Sequence, residues 1–138
     1  MPEVVVSVVD AGGRERPCSL VWEALEPHRR YRITAHLEEF GTFTGAAADC
    51  FSALRQLRLG LEEASLRLCC AGARTNAWCS GMQGDMGQGL VCYILPLPRQ
   101  TGRPDQVSVF APAPAGLVGT SAEQAEHFQR WRAVQPPR

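Results

Sequence analysis

"RYRITAHLEEFGTFTGAAADCFSALRQLRLGLE", residues 30–62, changes its hydrophobic period partway through, and that change decides the fold. From Arg30 to Glu38 the chain alternates: Tyr31, Ile33, Ala35 and Leu37 point one way, while Arg30, Arg32, Thr34, His36 and Glu38 point the other. Alternation at period two marks a strand with one buried face. From Gly45 onward, Ala47, Cys50, Phe51, Leu54, Leu57 and Leu61 recur at helical spacing, with Asp49 in the first turn and Arg55 and Arg58 outside the stripe. The spacing predicts an amphipathic helix over 45–62 that lies on the apolar face of the strand.

Working outward, "VVVSVVD" (4–10) and "CSLVWEALE" (18–26) are β-branched or apolar, and the turn-forming "DAGGRERP" between them makes 1–26 a hairpin. "SLRLCC" (65–70) returns to strand period, with Leu66, Leu68 and Cys70 on one side. The near-continuous apolar run "LVCYILPL" (90–97) reads as a central strand ended by Pro96 and Pro98, and "QVSVF" (106–110) as an edge strand. A Pro/Gly connector at 111–119 leads into a last helix over 120–134, where Thr120 and Glu123 have capping-box spacing and Ala125, Phe128 and Trp131 give a narrow apolar stripe. The expected fold is α+β: a single-domain sandwich with an antiparallel or mixed sheet of five to six strands and two main helices over residues 1–138.

At 138 residues and 45% hydrophobic content the chain can bury a self-sufficient core without a disulfide or metal staple. No apolar run approaches the ~20 residues of a membrane span, and Val4 to Val9, interrupted by Ser7, is too short for a secretory signal. The expectation is a soluble cytoplasmic protein. Fourteen Arg and no Lys balance fourteen Asp plus Glu, a usage typical of high-GC bacterial coding. Zero net charge argues against nucleic-acid binding, which draws most of its affinity from a basic footprint, and the one Arg cluster, Arg29, Arg30 and Arg32, is ringed by Glu23, Glu26, Glu38 and Glu39.

The stretch 76–95, "NAWCSGMQGDMGQGLVCYIL", carries the functional question. It is not a phosphate loop: a strand and not a helix follows Gly89, and no Lys is available. Asn76, Ser80 and Asp85 are too few oxygen ligands for a calcium loop. The cysteines Cys18, Cys50, Cys69, Cys70, Cys79 and Cys92 lack paired zinc spacing, and Cys18, Cys50 and Cys92 fall in apolar patterns where a free thiol acts as a small hydrophobe. Cys79 as a nucleophile needs a base, and nothing in the sequence brings His28, His36 or His127 to it. Two readings remain for Trp78, Met82 and Met86, a partner interface or a lid folded back on the sheet edge. The glycines Gly81, Gly84, Gly87 and Gly89 are expected to adopt positive φ and give the loop a defined shape.

Gly72, Ala73, Arg74, Asn76, Trp78, Ser80, Met82, Met86, Gly87, Gly89, Cys92 and Tyr93, with Glu123, Gln124, Phe128 and Trp131, resemble the pattern of a group of small, largely uncharacterised bacterial proteins sharing S-x-M-x-x-x-M-G-x-G-x-x-[AC]-Y. Cys79 stands where that group usually has Pro, which implies an incidental thiol. By size and class such proteins look like immunity proteins of polymorphic toxin systems. The motif defines a group and not a role; the expectation for the stretch is a non-enzymatic, cofactor-free module that binds a protein partner, most concretely a cognate toxin domain, through Arg74, Asn76, Trp78, Met82, Asp85 and Met86. The competing reading is a small cysteine-dependent enzyme, or an iron–sulfur or metal-binding protein, using Cys69 or Cys70 with Cys79 and Cys92.

Overall fold

Val4, Val6 and Val8 alternate with more exposed residues along β1 (Glu3–Val9), and Asp10 turns the chain back by accepting the Gly12 and Arg14 N–H groups at 3.0 and 2.9 Å. The computed structural model describes residues 2–26, 30–96 and 101–135, apart from the side chains of Asp85, Met86 and Arg103. His28, Arg29 and Pro98 therefore lie outside the described residues. β1 pairs antiparallel with β2 (Glu15–Leu25), β2 with β3 (Arg30–Leu37), and β3 with β4 (Gly41–Ala47), while β5 (Arg67–Cys69) joins the far side of β1. The five-stranded order β4-β3-β2-β1-β5 is antiparallel throughout.

One face of this sheet presents Val6, Val8, Cys18, Leu20, Ile33, Ala35 and Leu68, and helix α1 (Cys50–Glu63) covers it with Cys50, Ala53, Leu54, Leu57 and Leu61. The opposite face is open, with Arg30, Arg32 and His36 exposed and Arg32 paired to Glu23. A second sheet, β6 (Ala77–Trp78), β7 (Val91–Ile94) and β8 (Gln106–Ser108), has β7 in the middle and its own small core of Phe51, Ala77, Cys92 and Val109. Helices α2 (Gly81–Met86) and α3 (Ser121–Ala133) complete a single small α+β domain. No helix among the described residues is long and apolar enough to cross a membrane.

Three details differ from the sequence reading. The helix predicted from Gly45 begins at Cys50: Gly41–Ala47 is a strand, and Asp49 is the N-cap, its Oδ1 accepting the Ser52 N–H at 2.8 Å. Within the run at 90–97, Val91–Ile94 is the central strand of the small sheet and not of the main one. Arg58, expected outside the helix stripe, is only 2% exposed.

Gly45 shows why β4 and α1 can lie so close. A Cβ there would collide with the Ala53 carbonyl and the Leu57 N–H and would sit 2.9 Å from the Leu57 Cα, all backbone atoms of the helix. Gly45→Ala is therefore expected to force α1 off the sheet and lower the unfolding free energy by about 3 kcal/mol, as read from urea melts.

Candidate functional site

Ser80 and Gln83 turn the glycine-rich stretch into an ordered unit. The Ser80 hydroxyl accepts the Gln83 N–H at 3.0 Å, and the Gln83 carboxamide accepts the Ser80 N–H at 2.9 Å, a reciprocal cap at the start of α2. Beyond the helix, the Gly87 and Gly89 N–H groups both donate to the Gln83 carbonyl at 3.0 Å, and the Cys50 N–H donates to the Gln88 carbonyl at 2.8 Å. The segment is thus bolted to the N-terminus of α1. Of its four glycines only Gly89 has positive φ, at 70°, and non-glycine Gln88 shares that conformation at 60°. Gly81 and Gly84 lie within α2, so their expected positive φ is not found. What Gly89 permits is close approach: a Cβ there would lie 2.7 Å from the Asp49 carboxylate and 2.8 Å from the Cys50 nitrogen.

Trp78 of β6 stacks on Phe128 of α3, with ring centroids 4.3 Å apart and planes 5° from parallel, and meets Phe51 edge-on at 5.6 Å. The Arg55 guanidinium lies 4.9 Å from the centre of the same indole and donates to the Ser121 carbonyl at 3.2 Å. Burial pulls the Arg55 pKa down, and the Glu62 carboxylate opposes that shift. Together with Asp49, Ser52, Ser80 and Gly84, Arg55 and Trp78 line a cleft of about 180 Å³ beside α2. Met82, on that helix, is 72% exposed.

The remaining predicted contact residues are distributed around this cleft's scaffold. Arg74 and Asn76 lie in the turn before β6, joined by a 3.2 Å hydrogen bond from the Arg74 Nε to the Asn76 Oδ1. Asp85 and Met86 belong to the backbone of α2, and their side chains are outside the described set. Sequence reasoning passed over Asp49, Arg55 and Ser52. A signal for the first existed, since Asp three residues before Ser52 and directly ahead of an apolar stripe is an N-cap pattern.

The cysteines are held as thiols. Burial pushes Cys79 up to about 12, with Asp49, Cys92 and Cys50 adding to the shift, and its Sγ lies 3.5 and 3.6 Å from the Ser80 and Val91 carbonyls. Burial raises Cys50, Cys70 and Cys92 to about 12 and Cys18 to about 11. His36 hydrogen bonds with Thr42 at 3.2 Å, and His127 with the Leu95 carbonyl at 3.4 Å, so neither ring is directed at Cys79 by these contacts. Among the described residues, no three His, Cys, Asp or Glu side chains gather as a metal-holding group, and Cys69, Cys70, Cys79 and Cys92 do not converge as cluster ligands. No protein-family model matches the chain, and no curated protein matches it as a relative.

Trp78→Ala is expected to remove the shared partner of Phe51, Phe128 and Arg55 and to destabilise the fold by about 3 kcal/mol, measured by thermal or urea melts. Alkaline pH provides a second check. An unfolded thiol ionises near its ordinary value of 9.0, whereas Cys50, Cys79 and Cys92 keep their protons to about 12 when folded. The unfolded state then binds fewer protons, so stability is full below pH ~9 and falls as pH rises toward the folded values. Urea midpoints measured on either side of pH ~9 should show this decline, and iodoacetamide should leave Cys79 unlabelled in the native protein at neutral pH.

Proposed function

We propose that this chain is a non-enzymatic protein-binding module, most concretely a bacterial immunity protein that neutralises a cognate toxin domain in the cytoplasm by occluding it. The observation that supports this reading most directly is Met82, a large apolar side chain 72% exposed on a short helix whose two ends are tied down. Rigid presentation lowers the ordering cost of binding, and an exposed Met suits an apolar partner pocket. Asp85 and Met86 follow on α2, and the hydrogen-bonded pair Arg74 and Asn76 supplies polar contacts. Trp78 enters this proposal in a changed role, bracing the cleft wall with Arg55 while its ring stacks internally. Protonated thiols disfavour the competing cysteine-nucleophile reading. Balanced charge disfavours a nucleic-acid partner.

Co-expression with a secreted toxin domain encoded beside the gene tests the proposal. The chain should restore growth and bind that domain in a purified mixture. Met82→Glu should weaken binding by about 2 kcal/mol or more, over tenfold, with an unchanged melting temperature, because Met82 supports no core contact that the fold needs. Failure to bind or protect against any adjacent toxin domain would remove the immunity reading, and full affinity in Met82→Glu would remove α2 as the interface.

A further inference from the structure

Arg55 differs from the other arginines with described contacts in what it lacks. Arg16 pairs with Asp10 and Glu39, Arg32 pairs with Glu23, and Arg58 is met by the Gln124 side chain and the Gly119 carbonyl. Arg55 forms no ion pair among the described residues. Its hydrogen bonding there is limited to the 3.2 Å contact from one amino nitrogen to the Ser121 carbonyl, and its Nε is buried without an acceptor. The Trp78 ring holds the guanidinium in place, so a cation stands at the cleft wall with its second amino nitrogen unused.

The same cleft has an acidic end. Asp49, Ser52 and Arg55 follow one another at intervals of three, which sets them in a row along α1 with about 9 Å of helical rise from first to last. The Asp49 Oδ1 accepts the Ser52 N–H at 2.8 Å and its Oδ2 the Ser52 hydroxyl at 3.1 Å, which leaves acceptor capacity on both oxygens. No ion pair joins Asp49 to Arg55 or to any other described cation. A carboxylate and a guanidinium thus line one cleft of about 180 Å³, roughly six times the volume of a water, without neutralising each other. Gly84 keeps the acidic end open: its φ is not positive, but a Cβ there would crowd the Asp49 Oδ2 at 3.1 Å.

We infer that this cleft binds a small free amino acid as its zwitterion, with the ammonium on Asp49 and the carboxylate on Arg55. A ligand carrying both charges satisfies both ends, whereas a simple anion meets Asp49 and a simple cation meets Arg55. Each contact is a charge-assisted hydrogen bond in a partly dehydrated setting, and the volume suits an amino acid with a small side chain. The inference stands independently of the protein partner proposed above.

Glycine, alanine, serine and threonine, each titrated at millimolar concentration into the isotope-labelled full chain, test this by nuclear magnetic resonance. At least one should shift the Ser52 and Ser80 amide signals and the Trp78 indole N–H saturably, while the amide of Val5, 64% exposed on β1, stays in place. The corresponding amino-acid amide lacks the carboxylate and the N-acetyl derivative lacks the ammonium, and each should bind more than tenfold more weakly. Asp49→Asn retains an N-cap side chain of equal rank, so it should keep the melting temperature and lose affinity by over tenfold. Arg55→Met keeps an unbranched stem against Trp78 and should lose affinity to the same extent. If Arg55→Met does not fold, Asp49→Asn and the two derivatives decide. No saturable shift with any of these amino acids, equal binding of either derivative, or full affinity in a folded Asp49→Asn or Arg55→Met would overturn the inference.

Discussion

Arg58 is a buried charge on which the joining of the two halves depends. Its guanidinium donates to the Gln124 side-chain carbonyl at 2.8 Å and to the Gly119 carbonyl at 2.9 Å, and the Gln124 amide donates onward to the Gly72 and Arg74 carbonyls at 2.8 and 3.0 Å. One turn further along α1, the Glu62 carboxylate accepts the N–H and hydroxyl of Ser121 at 2.9 and 3.0 Å. Burial lowers the Arg58 pKa to about 10, offset in part by Glu62, so the group remains charged at neutral pH. A buried cation is costly unless every donor finds an acceptor. That requirement makes the seam a device of specificity: α3 can dock where Gln124 meets Arg58, and a shifted register would strand the charge.

The seam also explains how so polar a helix as α3 stays attached. Its fully buried side chains are Ser121 and Gln124, whereas Phe128 and Trp131 are half-buried and complete the stack begun by Trp78. Hydrogen bonding fixes the position of the helix, and aromatic contact adds area around it. Phe51 performs the complementary task on α1. It leaves the helix on the side of the small sheet and packs with Ala77, Cys92 and Val109, so one helix serves two cores.

Much of this architecture was legible in the sequence because it follows from periodicity. The alternation in 30–38, the β-branched run of β1, the stripe of Leu54, Leu57 and Leu61, and the Thr120–Glu123 cap each express a local geometry that residue order records directly. The misreadings share a different cause. Gly45, Ala46 and Ala47 are small enough to fit either period, and the choice of strand is made by the backbone of α1 pressing on Gly45. Arg58 occupies the stripe position between Leu54 and Leu61, but its charge signals exposure unless its partners 61 and 66 residues away are known. In the glycine-rich stretch, composition suggested unusual φ angles, whereas the order comes from the Ser80–Gln83 cap and a hydrogen bond to Cys50. The cleft was hidden for the same reason, since Asp49, Arg55 and Trp78 belong to elements that meet only in three dimensions.

The way α2 is fastened separates what may vary from what must not. Its restraints are main-chain hydrogen bonds, the cap between Ser80 and Gln83, and the packing of Gly89 against Asp49. None of them uses the outward-facing positions: a Cβ at Gly81 would meet nothing within 4 Å, and Met82 projects into solvent. Substitution there alters the chemistry offered to the surroundings without touching the bonds that hold the helix in place. A lineage could therefore rewrite this surface repeatedly, one residue at a time, while the scaffold beneath it remained under unrelated and much stricter selection.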